Sequence, residues 1–124
     1  MDIEKFTDRA RGFLQSAQTI AIREYHQRVT PEHLLKALLD DDQGVASGLI
    51  RAAGGDPVQV KQTVEAELAR TPKVTGGGAG QPQFTPDIVR VLGTAQEQAA
   101  RAGDEFVAQD RMLVGIAASD TPAG

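Results

Sequence analysis

The 124-residue sequence contains no cysteine and no tryptophan, one tyrosine and four phenylalanines. Without cysteine there is no disulfide framework, no thiolate metal ligand and no cysteine nucleophile. With so few aromatic residues, the core is expected to consist of leucine, isoleucine, valine and alanine, which suits close packing of helices. No apolar run reaches the ~18 residues that a membrane span needs, and the polar start Met1–Lys5 does not resemble a signal peptide. We therefore expect a cytoplasmic protein.

No block of basic residues is present either: the 13 lysines and arginines are outnumbered by 17 aspartates and glutamates, and the net charge is −4. Lysine and arginine are scattered, whereas nucleic-acid binding needs a basic face that neutralises phosphates. The same acidity disfavours an anionic membrane surface. Hydrophobic residues make up 40% and charged residues 24% of the chain, which is ordinary for a globular protein. These values predict one folded domain over 1–124, with neither nucleic acid nor membrane as a partner.

Three dipeptides place a capping oxygen before a proline: Thr30-Pro31, Asp56-Pro57 and Thr85-Pro86. The oxygen can accept a first-turn N–H, and proline at the first helical position loses no hydrogen bond, so each pair predicts a helix start. Apolar periodicity then predicts helices over about 7–23, 31–39, 44–53, 56–69, 85–102 and 108–118. No stretch alternates with period two for long enough to predict a strand.

Each predicted helix has an apolar face that is expected to point inward. In the first helix the face comprises Ala10, Phe13, Leu14, Ala17, Ile20 and Ala21. In the third and fourth helices it comprises Val45, Leu49 and Ile50, then Val58, Val60, Val64 and Leu68. Gly54-Gly55 is typical of a helix stop that requires positive φ.

The sequence repeats itself after 78 residues, which aligns Phe6-Thr7 with Phe84-Thr85 without a gap. Further identical pairs at this separation are Leu14 and Leu92, Ala17 and Ala95, Gln18 and Gln96, Ala21 and Ala99, Arg23 and Arg101, Val29 and Val107, and Leu35 and Leu113. The matches fall mostly on the predicted inward faces. They predict an all-α fold in which two copies of a helical unit pack with pseudo-twofold symmetry.

The predicted boundaries are 3–70 for repeat one, 71–83 for a Gly-rich linker and 84–124 for repeat two. The linker holds four glycines between Thr75 and Pro82 and no large apolar side chain. The second copy is incomplete, because counterparts of the third and fourth helices are absent. We expect their absence to expose apolar surface on the fifth and sixth helices and so to cause weak self-association or crystal contacts of a domain that is otherwise monomeric.

Short segments in both repeats carry a resemblance to a known family. The segments Val29–Leu39 and Gly103–Val107, with Asp110–Leu113, are similar to the two repeats of Clp N-terminal domains. Phe6-Thr7 and the Gly-Asp-aromatic-Val form of the second repeat resemble the ClpB type. The resemblance covers about residues 3 to 118 and implies a substrate-contacting domain of a hexameric, ATP-dependent disaggregase. Its implied partners are unfolded or aggregated client proteins and an adaptor protein.

The resemblance also implies a partner-binding site in this chain: Thr7, Leu92, Thr94, Asp104, Asp110 and Arg111. Three of these residues have a structural alternative. Thr7 is placed to cap a helix, Asp104 to form a turn, and Asp110, which replaces the usual glutamate, to interact with a helix dipole.

The remaining three residues concern an apolar groove that the family uses. Leu92 matches an apolar position, whereas Thr94 and Arg111 stand where leucine is common in some relatives. A polar and a charged residue would shrink the apolar patch. The hypothesis is that apolar segments bind weakly and that Arg111 shifts preference toward segments with acidic residues.

No cofactor or metal is predicted. Gly76–Gly80 lacks the Lys-Ser/Thr of a phosphate-binding loop, so ATP belongs only to the absent ATPase modules of the parent. His26 and His33 lie on opposite sides of a helix break and lack the further ligands that zinc requires, so His33 is expected to pack or cap a helix. Asp40–Asp42 fails the register of a calcium loop.

Two other functions fit the same fold. One is the adaptor-binding N-domain of a ClpA- or ClpC-type unfoldase that feeds a protease, and the other is a free-standing protein-binding module. An enzyme ranks last, because no triad or carboxylate pair can be proposed from the sequence.

Overall fold

A computed structural model describes residues 4, 6–40, 46–71, 82–104 and 106–117. Within these ranges the chain forms six α-helices and two short strands. In chain order they are α1 (Asp8–Arg23), β1 (Arg28–Val29), α2 (Pro31–Asp40), α3 (Ala46–Ala52), α4 (Pro57–Arg70), β2 (Gln83–Phe84), α5 (Pro86–Arg101) and α6 (Gln109–Ala117). The predicted all-α fold is confirmed. Most of the predicted linker, 72–81, lies outside the described residues, and Gln83 at its end lies in β2.

Side-chain oxygens cap three of the helices: Thr7 caps α1, Asp56 caps α4 and Thr85 caps α5. The Asp56 carboxylate accepts the Val58 N–H at 3.0 Å, and the Thr85 hydroxyl accepts the Ile88 N–H at 3.3 Å. These two predicted caps are confirmed. At the third predicted start, Thr30-Pro31, a histidine side chain is the acceptor: the Thr30 backbone N–H donates to Nδ1 of His33 at 2.9 Å. His33 therefore caps the first turn of α2 from within the core.

The inward face predicted for α1 is buried in full. Two other inward assignments are wrong, since Leu49 is 40% and Val58 59% exposed. In α4 the buried residues are Pro57, Val64 and Leu68, and Val58 lies about 200° around the helix from the half-buried Val60. Val45 lies outside the described residues.

The 78-residue repeat is visible in the helices. Adding 78 to the bounds of α1, Asp8–Arg23, gives the bounds of α5, Pro86–Arg101. The same shift places the start of α2, Pro31, on the start of α6, Gln109. The sequence repeat is therefore a structural repeat.

Two short parallel pairings join the repeats, and the sequence predicted neither. Val29 pairs with Phe84 in the β1–β2 ladder, and Phe6 pairs with Val107 in an isolated bridge. Under the 78-residue shift these two pairings exchange places. Each repeat thus contributes its leading phenylalanine to the valine of the other repeat, which is the expected result of a pseudo-twofold arrangement.

A single core lies between the repeats. Its largest fully buried side chains come from both copies: Phe6, Leu34, Leu38, Ile88, Leu92, Met112 and Ile116. The α1–α2 and α5–α6 pairs form its halves, and α6 also contacts α1, α2 and α3.

The backbones of α5 and α6 approach each other closely at Gly115. A Cβ atom added there would lie 2.6 Å from the carbonyl oxygen of Val91 in α5, whereas one added at Gly93 would meet nothing within 4 Å. A backbone carbonyl cannot move aside as the end of a flexible side chain can. The absence of a Cβ at Gly115 therefore allows these two helices to pack at this separation.

We expect Gly115→Ala to lower the free energy of unfolding by about 1 kcal/mol, because overpacking outweighs the gain in helix propensity. The matched change Gly93→Ala, in an open position of α5, should raise it by about 0.5–1 kcal/mol. Urea unfolding measures both values. A stabilised Gly115→Ala protein would contradict the close contact.

Candidate partner-binding face

Five exposed or half-buried residues gather where α5 leads into α6, and we call this surface the loop face. It comprises Thr7, Asp104, Phe106, Asp110 and Arg111. Four of them were predicted as site residues. The fifth, Phe106, belongs to the Gly-Asp-aromatic-Val motif, but the sequence does not predict it as a site residue.

Thr7 joins α1 to this face. Its hydroxyl accepts the Ala10 N–H at 3.0 Å, so it is the N-cap of α1. Its own N–H donates to the carbonyl of Val107 at 2.9 Å. The predicted capping role is confirmed, and the second bond holds the start of α1 against the segment that precedes α6.

Asp104 is placed by the way α5 ends. Gly103 has φ +79, a conformation that glycine adopts without steric cost, and the Asp104 N–H donates to the Ala99 carbonyl at 2.9 Å. The Asp104 carboxylate turns outward and accepts from Nε of Arg111 at 3.3 Å. A position predicted as a turn therefore ends a helix and provides one half of an ion pair.

The rest of the loop face is acidic and aromatic. Asp110 is exposed in the first turn of α6, as predicted, where its charge suits the positive end of the helix dipole. Phe106 is 50% exposed in a chain with only four phenylalanines. Its neighbour Val107 is buried in the inter-repeat bridge. Because successive residues of an extended segment point to opposite sides, the bridge itself turns Phe106 toward solvent.

Leu92 does not belong to this surface, which corrects its assignment to the site. It is 0% exposed and packs in the core face of α5 with Ile88 and Ala95. Its match to an apolar family position reflects packing rather than contact with a partner. Thr94 is half-buried on α5, about 200° around the helix from Leu92.

The structure brings His26 and His33 together, although the sequence placed them on opposite sides of a helix break. Nδ1 of His26 lies 2.8 Å from Nε2 of His33. Since the Thr30 N–H can only donate, Nδ1 of His33 is an acceptor and its Nε2 carries the proton that bridges to His26. Burial, and secondly the charge of His26, lowers the pKa of His33 from 6.5 to about 4.

Among the residues that the structure describes, no three His, Asp, Glu or Cys side chains converge as a metal site. The described helices include none that is long and apolar enough to cross a bilayer.

Comparison with solved structures identifies the class of protein. The Hsp104 N-terminal domain from Candida albicans matches with a TM-score of 0.83 at 20% identity, covering 95% of this chain and 77% of that one. A ClpV N-domain in complex with a VipB peptide matches with a TM-score of 0.78 at 25% identity, covering 91% and 68%. The fold is that of a Clp-type N-domain.

The family follows from the sequence comparisons. The model of the Clp repeat (R) N-terminal domain matches residues 5–124. The chaperone protein ClpB of Rhizobium meliloti (strain 1021) is 50% identical over 123 residues, 99% of this chain and 14% of that protein. ClpB of Agrobacterium fabrum (strain C58 / ATCC 33970) is 49% identical over 117 residues, 94% and 13%. The chain belongs to the Clp N-terminal repeat domain family, and it spans about one seventh of the length of these relatives.

Burial of His33 predicts that the free energy of unfolding depends on pH. The pKa of His33 is 6.5 in the unfolded chain and about 4 in the folded one. The contribution of the neutral histidine to the free energy of unfolding is therefore fully present above pH 6.5 and is lost as pH falls from 6.5 toward 4. We expect the free energy of unfolding to drop by about 2 kcal/mol between pH 7 and pH 5.

Urea unfolding at a series of pH values measures this dependence. His33→Asn keeps an oxygen that can accept the Thr30 N–H but does not titrate, so it should lose most of the slope between pH 5 and pH 7. Equal slopes in the two proteins would show that another group is responsible.

Proposed function

We propose that the chain is the substrate-contacting N-terminal domain of a ClpB-type, ATP-dependent disaggregase. The observation that carries this proposal is the 50% identity to a ClpB chaperone over 99% of the chain. The domain would bind unfolded or aggregated segments and would have no catalytic role of its own. ATP hydrolysis and hexamer formation would belong to other parts of a longer parent protein.

The loop face has the chemistry that such binding requires. Phe106 offers an exposed aromatic surface, and solvent-exposed aromatic residues are common anchors in protein interfaces. Asp104 and Asp110 supply carboxylates beside it, which can accept hydrogen bonds from the unpaired backbone N–H groups of an extended client. With Leu92 in the core, the apolar contribution rests on Phe106, so binding to any one segment would be weak.

Arg111 gives this face a preference among clients. Its ion pair with Asp104 is partly exposed, and such pairs contribute only about 0–1 kcal/mol, so a competing carboxylate can replace Asp104. A client with acidic residues beside its apolar segment would gain Arg111 as a partner. We retain the proposal that Arg111 favours acidic clients.

A second candidate function is the recognition of one specific partner peptide. The likeness to a ClpV N-domain bound to a VipB peptide favours it. In that case a defined adaptor segment, rather than many unfolded chains, would occupy the loop face.

NMR titration of the labelled chain with a reduced, alkylated and therefore unfolded globular protein tests the first proposal. We expect shifts confined to the region of Thr7, Asp104, Phe106 and Asp110. Phe106→Ser should weaken binding several-fold, because it removes the exposed ring. Val58→Ser, an exposed apolar residue on α4, is the matched control and should not change it. Absence of shifts at millimolar client would favour the adaptor function instead.

The role of Arg111 predicts opposite effects for two substitutions. Asp104→Asn frees Arg111 and should strengthen binding of an apolar peptide that carries aspartates. Arg111→Leu removes the cation and should reverse the preference toward the same peptide with asparagines, by about fivefold in the ratio of affinities. Fluorescence anisotropy with both peptides measures the ratio. An unchanged ratio in Arg111→Leu would exclude this role.

A further inference from the structure

The contact between His26 and His33 closes the segment that carries β1. Both side chains are buried, and their rings meet edge to face with centres 5.0 Å apart. His26 follows the turn that ends α1, and His33 lies in the first turn of α2. The residues between them, 27–32, therefore form a loop whose base is this contact and whose middle pairs with repeat two.

The hydrogen bonds of the two histidines run in one direction and leave no place for an additional proton. The Thr30 N–H donates to Nδ1 of His33, and Nε2 of His33 donates to Nδ1 of His26. If Nδ1 of His33 also bound a proton, it could donate to the Thr30 hydroxyl, which lies 2.8 Å away. The Thr30 N–H would then lose its acceptor, and a buried N–H without an acceptor is unfavourable.

No acidic side chain offsets a charge on His33 in the part of the chain that the structure describes. Burial and the charge of His26 both oppose the protonated form. The charged residues nearest to it in the sequence are Arg28 in β1, which is exposed, and Glu32 in α2, which is half-buried. Neither these nor any charged side chain of the other described helices forms an ion pair or hydrogen bond with His33.

The turn that positions His26 is strained. Tyr25 adopts φ 60, a left-handed conformation that is unfavourable for a residue with a Cβ atom. Its ring is 58% exposed, so packing of the ring does little to offset the strain. The equivalent residue of repeat two is Gly103 at φ 79, which has no such cost. Burial of His26 against His33 therefore helps to keep a strained turn closed.

The loop that this contact closes forms one of the two parallel pairings between the repeats. The N–H groups of Gln83 and Thr85 donate to the carbonyls of Gln27 and Val29, each at 3.1 Å. Val29 is fully buried, so release of β1 would expose an apolar side chain. The other pairing, which precedes α1, follows a turn that contains no histidine, and it serves as an internal reference.

We propose that the His26–His33 pair is an acid-sensitive switch: protonation of His33 opens residues 25–33, relaxes the turn at Tyr25 and separates β1 from β2, while the rest of the fold stays intact. The open segment binds a proton that the closed segment excludes. Opening should therefore increase as pH falls below 6.5, the ordinary pKa of the histidine. The opening is local, which distinguishes it from the loss of global stability with pH.

Amide hydrogen exchange of the 124-residue chain, followed by NMR at pH 7 and pH 5 in urea below the unfolding transition, tests the switch. The Thr85 amide should exchange with little dependence on urea, because local opening exposes little surface. Its protection factor should fall about twentyfold from pH 7 to pH 5. The control is the equivalent amide of Thr7, which donates to Val107 and should be more protected than Thr85 at pH 5.

Two variants separate the histidines from the strained turn. His33→Asn keeps an acceptor for the Thr30 N–H but cannot titrate, so the pH dependence of Thr85 exchange should disappear. Tyr25→Gly keeps both histidines and relieves the strain, so it should raise the protection of Thr85 by about fivefold. Circular dichroism confirms that both variants stay folded.

Three results would overturn the proposal. The first is Thr85 exchange that has the same rate and the same steep urea dependence as that of Thr7 at pH 5, because opening would then be global. This measurement uses the unmodified chain and stands even if a variant does not fold. The second is an unchanged pH dependence in His33→Asn, and the third is unchanged protection in Tyr25→Gly.

Discussion

The two repeats are tied together by an exchange of extended segments. The N–H of Thr7 donates to the carbonyl of Val107, and the N–H of Thr85 donates to the carbonyl of Val29. Each threonine also caps the helix that follows it. The same residue therefore begins a helix and fixes that helix to the other repeat. The leading segment of each repeat thus finds its backbone hydrogen-bond partner on the other repeat.

The loop face depends on this exchange. The bridge between Phe6 and Val107 presents Phe106 outward and brings the N-cap of α1 next to the start of α6. Without this exchange Thr7 would not be held beside the other four residues of the face, which all come from repeat two. The proposed binding surface is thus an inter-repeat feature, even though four of its five residues come from repeat two.

Apart from Thr7, which matches Thr85, the residues of the loop face stand at positions where the two repeats differ in sequence. The turn that ends the first helix of each unit shows the difference: Tyr25 adopts φ 60 where Gly103 adopts φ 79. The following residue is His26 in repeat one and Asp104 in repeat two. His26 is buried against His33 and completes a polar cap inside the core, whereas Asp104 is exposed and pairs with Arg111. One backbone arrangement serves stability in one copy and surface chemistry in the other.

The sequence by itself determined the helices, the caps at Thr7, Asp56 and Thr85, the inward face of α1 and the 78-residue separation of the repeats along the chain. These depend on local periodicity and on hydrogen bonds within one turn, which neighbouring residues set. Only the tertiary structure decided that two-residue segments pair across the repeats, that Leu92 is buried and Val58 exposed, and that His26 meets His33. A two-residue strand has no period to detect, and burial depends on what packs opposite, which comes from residues distant in the chain.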